Sequence, residues 1–144
     1  MKTKQSIFAP VIAALLFATA NSFAAAQTYH GTLTGGTFYC GTDQVAGPFV
    51  TGTWNLSIDP ATPAQLTLTV FYNGRQHLAW GYNALILDPS RSGGGIYVFS
   101  GFGGMATATL NTNDATFSWH VELPVTCPTQ YPYDSLTFFG VVSH

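Results

Sequence analysis

In the decapeptide VTGTWNLSID, residues 50–59, Val50, Trp54, Leu56 and Ile58 fall on one face of an extended chain, and Thr51, Thr53, Asn55, Ser57 and Asp59 on the other. Successive side chains of a strand point to opposite faces, so this alternation specifies a strand with one buried face. It is incompatible with a helix, whose apolar positions recur every three or four residues. AQLTLTV (64–70) repeats it, with Ala64, Leu66, Leu68 and Val70 inward, and Pro60 and Pro63 punctuate the connection, so the two segments form a hairpin. ATFSWHVEL (115–123) sets Phe117, Trp119, Val121 and Leu123 against Thr116, Ser118, His120 and Glu122, and MATATLNTND before it supplies a partner strand and a polar turn. YVFSGF and SLTFFGVV read as further strands, YHGTLTGGTFYC as a first strand broken or bulged at Gly35-Gly36, and DPSRSGGG as a flexible loop.

The sum is an all-β chain: a single antiparallel meander of about eight or nine strands, closed as a β-barrel or folded as a β-sandwich. Charged residues make up only 7% of the chain. Exposed strand edges are normally protected by charge, which is scarce here, so closure into a barrel is the favoured architecture. No period-3.6 segment and no internal repeat competes with this reading.

The TVFYNGRQHLAW stretch poses a register problem. A two-residue Asn73-Gly74 turn would pair Val70 with His77 and Leu68 with Ala79, turning Arg75 and His77 toward the apolar side. A type I turn at Tyr72-Asn73 with Gly74 as a left-handed bulge residue pairs Val70 with Gln76, Leu68 with Leu78 and Leu66 with Trp80, and keeps the apolar residues together. Burying an unpaired arginine costs several kcal/mol and the three-residue turn costs nothing comparable, so that turn is expected, with Trp80 buried and His77 accessible.

Two lysines, an apolar run from Ile7 to Ala18 and small residues ending at Ala26 form the pattern of a secretory signal peptide. Residues 1–26 are therefore expected to be removed, leaving 27–144 as one domain, secreted to the extracellular space or the periplasm. Lys2 and Lys4 are the only lysines; the remainder keeps Arg75 and Arg91 against six acids, a formal charge of −4. Nucleic acids and anionic membranes need clustered cations, so neither is an expected partner, and no later segment is apolar enough to enter a bilayer. Cys40 and Cys127 in an exported chain point to one disulfide, whose long loop would be worth about 4 kcal/mol in the chain-entropy model. Their wide separation does not suit zinc, and no cofactor is implied.

Chemistry is sparsely signalled. His120 and Glu122 lie two apart on an outward face, the spacing of two metal ligands or an acid–base pair, but a catalytic metal wants a third ligand and none is evident. His30, His77 and His144 stand alone. There is no G-x-S-x-G and no facing pair of carboxylates, so no catalytic residue is assigned. Asn55-Leu56-Ser57 is a glycosylation sequon, relevant only in a eukaryote. Tyr131 and Tyr133 flank Pro132 and could stack on carbohydrate. The Gly52-Thr53-Trp54 triplet resembles the Gly-x-Trp of lipocalin and avidin barrels, over three residues only and farther into the mature chain, and no family is assigned on it.

Trp54, Trp80 and Trp119 all fall on inward faces of different strands. Core packing is the first explanation for them; a pocket lined by these rings, suited to a small apolar or sugar-like ligand, is the sharper alternative. Two function classes follow: an exported noncatalytic binding module, or a noncatalytic cell-surface or matrix protein assembling through strand edges.

Overall fold

The computed structural model describes residues 25–41, 43–46, 50–72, 74–123 and 134–143. Among the described residues nine strands carry the fold: β1 (Gln27–Cys40), β2 (Asp43–Ala46), β3 (Val50–Asp59), β4 (Thr62–Tyr72), β5 (Arg75–Leu87), β6 (Ile96–Gly101), β7 (Ala106–Asn111), β8 (Thr116–Glu122) and β9 (Ser135–Val142). All pairs are antiparallel, and from β3 onward each strand lies beside the next in sequence. β1 pairs with β3 on one side through Gln27–Leu33 and with β9 on the other through Gly31–Tyr39, which closes eight strands into a barrel. Short β2 is a ninth strand added to the end of β1. The expected meander and its closure are both present.

Alternation dictates the interior. Val50, Trp54, Leu56 and Ile58 of β3, Ala64, Leu66, Leu68 and Val70 of β4, and Phe117, Trp119 and Val121 of β8 are all buried, and no polar or charged residue is buried among the described residues. Trp54 stacks on Phe117, with ring centroids 4.2 Å apart and planes 13° from parallel, and Phe38 meets Phe138 edge-on at 5.5 Å. Small residues make room for large ones: Trp119 lies opposite Ala108 on β7. This is the taper filling by which a narrow barrel becomes a packed core.

Three sequence expectations need correction. The β4–β5 turn has two residues, because Tyr72 pairs with Arg75 and Phe71 with Gln76. The register then shifts, so that Val70 meets Leu78, Leu68 meets Trp80 and Leu66 meets Tyr82. The extra residue that brings the apolar side chains into phase is His77, absorbed as a bulge just past the turn rather than within it; either placement satisfies the same facing requirement. Trp80 is half-buried rather than buried. Residues 88–95 form a hydrogen-bonded loop: the Asp88 carboxylate accepts from the Ser90 amide (3.0 Å) and hydroxyl (2.6 Å), and Ser92 Oγ donates to the Asp88 carbonyl (2.7 Å) and accepts from the Val98 amide (2.9 Å). The Ser90 hydroxyl holds the Asp88 carboxyl below its ordinary value.

The first strand is continuous, with its bulge between Leu33 and Gly35 in the β9 pairing, one step before the Gly-Gly pair. Cys40 is half-buried at the end of β1 and forms no disulfide with any described residue. Its expected partner Cys127, the side chain of His77, the Tyr131–Tyr133 pair, His144 and the signal segment through residue 24 lie outside the described residues.

Candidate binding site at the β5–β6 seam

One seam of the barrel is built differently from the rest. β5 meets β6 only through Ile86–Ser100 and Leu87–Phe99, whereas β4 and β5 pair from Ala64–Leu85 to Tyr72–Arg75. Among the described residues, β5 therefore has no ladder partner on its β6 side from Arg75 to Ala84. The reason is local: β6 ends at Gly101, and Phe102–Gly104 turn the chain back into β7. Phe102, Gly103 and Gly104 have φ of 50°, 63° and 98°. For a bulky side chain the left-handed conformation costs on the order of 1 kcal/mol, so Phe102 is held there by its contacts.

Those contacts close the gap with aromatic rings. The Phe102 amide donates to the Tyr82 hydroxyl at 2.8 Å, and the two rings lie 4.4 Å apart. Trp80 is 6.5 Å from Phe102 and meets Trp119 edge-on at 6.1 Å; Tyr82 is 6.0 Å from Trp119. A Cβ on Gly101 would come within 2.6 Å of the Tyr82 hydroxyl, so glycine is what lets the tyrosine lie across the end of β6. Trp80 and Tyr82 are half-buried and Phe102 is 41% exposed, so the cluster runs from the surface to the centre of the barrel.

At its inner end Trp119 is fully inaccessible, and its indole nitrogen is the buried side-chain polar atom without a partner among the described residues. A buried donor left unpaired costs about 1–3 kcal/mol, so its retention asks for a reason. On the other side of the two-pair ladder, an apolar cleft of about 310 Å³ is lined by Ile58, Ala64, Leu85, Leu87 and Phe99 beside the β3–β4 turn. The Asp59 carboxylate near it is engaged with the Ala61 amide at 2.8 Å.

Of the three tryptophans, the fold brings Trp80 and Trp119 together and sets Trp54 apart. Trp54 is 2% exposed and donates its indole N–H to the Val141 carbonyl at 3.2 Å, clasping β3 to β9 across β1. A Cβ on Gly140 would stand 2.7 Å from that nitrogen. Alternation does not single out Tyr82 or Phe102; the sequence signal for Phe102 is an aromatic residue set among glycines in Gly101-Phe102-Gly103-Gly104.

The remaining candidates are surface features. His120 Nε2 lies 3.5 Å from Glu122 Oε1 and its Nδ1 is 2.8 Å from Thr137 Oγ1, on the outer wall. Among the described residues no three His, Cys, Asp or Glu side chains could together hold a metal ion. Asn55 is half-buried on the outer face, its amide oxygen accepting from Ser57 Oγ at 3.4 Å. No helix among the described residues is long and apolar enough to cross a membrane. Comparison with protein-family models, with curated proteins and with solved structures gives no match.

Proposed function

We propose that the mature chain is an exported, noncatalytic β-barrel binding module that takes a small apolar or sugar-like ligand at the β5–β6 seam, against Trp80 and Trp119. The observation that carries this reading is the interrupted seam, where a cluster of tilted and edge-on rings instead of a backbone ladder lies between the surface and the hydrocarbon interior. Aromatic faces with few polar groups suit an apolar ligand or the flat face of a sugar. Export rests on the signal pattern of residues 1–26. The outward side chains of β3 and β4 are mainly Thr, Ser, Asn and Gln, which favours a wall facing water over one facing lipid. Arg75 begins β5 and Arg91 lies in the loop after it, at opposite ends of that strand, so the two cations make no patch for a phosphate backbone.

Native mass spectrometry of protein taken from its own source, with tryptophan fluorescence during ligand screening, tests the reading. The expected result is a retained small molecule, or quenching that Trp80→Ala removes while the far-ultraviolet circular dichroism is unchanged. Bare polypeptide mass together with fluorescence indifferent to every compound in an apolar and carbohydrate panel would overturn it.

A second reading, assembly through strand edges, has one observation in its favour: the same stretch of β5, with exposed small side chains at Ala79, Gly81, Asn83 and Ala84, offers an open edge carrying no lysine or proline. Concentration-dependent polymers that Gly81→Lys abolishes would support it over the ligand reading.

A further inference from the structure

We infer that the seam site takes an uncharged planar ring bearing a hydrogen-bond acceptor, received by the indole N–H of Trp119, and that Phe102 stands where that ring would lie. The inference rests on the binding reading above and specifies its ligand. The acceptor follows from Trp119. Its N–H is enclosed by an interior without buried polar residues and has no acceptor of the protein's own among the described residues. The nearby Tyr82 hydroxyl accepts the Phe102 amide and keeps its own proton to donate. Both polar groups of the cluster thus have a donor to offer, and a carbonyl or ether oxygen is what such a pair recognises.

The absence of charge follows from the lining. Trp80, Tyr82, Phe102 and Trp119 are all uncharged, and an anion taken among them would lose its hydration without gaining a counter-charge.

The planar ring follows from Phe102. This side chain lies against Tyr82 and faces Trp80, it is partly exposed, and its backbone is in the left-handed region between glycines. No residue of the 102–104 turn is buried. Swinging Phe102 out exchanges its contacts with these two rings for solvent and leaves a ring-sized place against Tyr82 and Trp80, both of which pack on Trp119. A ligand ring taking that place recovers the ring contacts that Phe102 gives up.

The test uses the mature chain and two probes of nearly equal shape, 4-fluoroacetophenone and 4-fluoro-α-methylstyrene, which differ in the acceptor oxygen; binding is followed by fluorine NMR and the indole N–H resonances by nitrogen-15 NMR. The expected results are about a tenfold preference for the ketone, a shift of the Trp119 indole resonance by the ketone alone, loss of the preference in Trp119→Phe, and at least tenfold tighter ketone binding in Phe102→Gly. The Trp119 resonance in the unaltered chain decides the matter if Trp119→Phe does not fold. Equal binding of both probes with the Trp80 resonance shifted, or no gain in Phe102→Gly, overturns the inference and leaves the seam site standing. Neither probe binding either form, with Trp80 unmoved, overturns this inference, while the ligand panel above judges the broader reading separately.

Discussion

Trp54→Phe separates a structural tryptophan from those of the proposed seam site, and its cost can be worked from the contacts. The indole N–H gives the Val141 carbonyl a 3.2 Å hydrogen bond that phenylalanine cannot make. A bond of this kind has a net worth of about 1 kcal/mol. The smaller ring leaves roughly 40 Å³ unfilled at a site only 2% exposed, and at about 24 cal/mol per Å³ of cavity this adds roughly 1 kcal/mol. The expected loss is therefore about 2 kcal/mol, rising to about 3–5 kcal/mol in Trp54→Ala. Because the ring is stacked on Phe117 at 4.2 Å, Phe117→Leu and Trp54→Phe should couple by up to about 1 kcal/mol in a double-mutant cycle. Urea unfolding followed by far-ultraviolet circular dichroism, with the m value checked for constancy, measures all of these. Trp80→Phe, at a half-buried site whose indole has no hydrogen bond to a described residue, should cost at most about 1 kcal/mol. A Trp54→Phe protein within about 0.5 kcal/mol of the parent, or one less affected than Trp80→Phe, would refute the division of roles.

Three shorter expectations follow from the same contacts. Gly140→Ala places a Cβ 2.7 Å from both the Thr32 carbonyl oxygen and Trp54 Nε1 and should destabilise by about 1–3 kcal/mol through overpacking, so an unchanged urea midpoint would show that the closing seam can widen. Amides of β5 between Ala79 and Ala84 that point away from β4 should exchange with deuterium faster than those of β4 from Leu66 to Val70, and equal protection would mean that the β5 edge is covered. Asp88 has its carboxyl lowered by the Ser90 hydroxyl from an ordinary value of 3.8; a depressed carboxyl adds stability above the unfolded value and loses it as pH falls through the folded one. The loop should accordingly loosen only below about pH 3.8, seen as collapse of the Ser90 amide shift in an acid titration, and Asp88→Asn should remove that transition.

The barrel was legible because its strands carry strict alternation. β3 begins and ends where VTGTWNLSID does, and each residue of β3, β4 and β8 placed inward at positions 50–70 and 117–121 is buried. The β4–β5 register was not legible, for a physical reason. Facing constrains only the parity of the pairing, and one extra residue restores parity whether it sits in the turn or just past it. The chain places it at His77, and a second shift between Tyr82 and Leu85 follows on the same strand. The first lies beside the turn and leaves the alternation through Trp80 and Tyr82 intact, so alternation does not reveal it; the second changes the phase of β5, from Tyr82 inward to Leu85 inward across exposed Asn83 and Ala84.

The candidate site was hidden for a related reason. Trp54, Leu68 and Trp80 lie on one row across β3, β4 and β5, and by pattern the two tryptophans are equivalent inward residues. They differ in what lies beyond them. Outward from Trp54 the sheet continues through Gly31 of β1 to Val142 of β9, so the ring is enclosed and its nitrogen finds a carbonyl. Outward from Trp80 the next strand has already ended at Gly101, so the ring meets other rings and reaches the surface. The role of Trp80 is thus decided by the length of a hairpin some twenty residues further along the chain, and that length is set by Gly101-Phe102-Gly103-Gly104, which carries an aromatic side chain in a conformation that glycine would hold at no cost. A turn built for closure alone would have had no use for that phenylalanine. Its ring packs the turn against Tyr82 and Trp80 at the point where the ladder is interrupted.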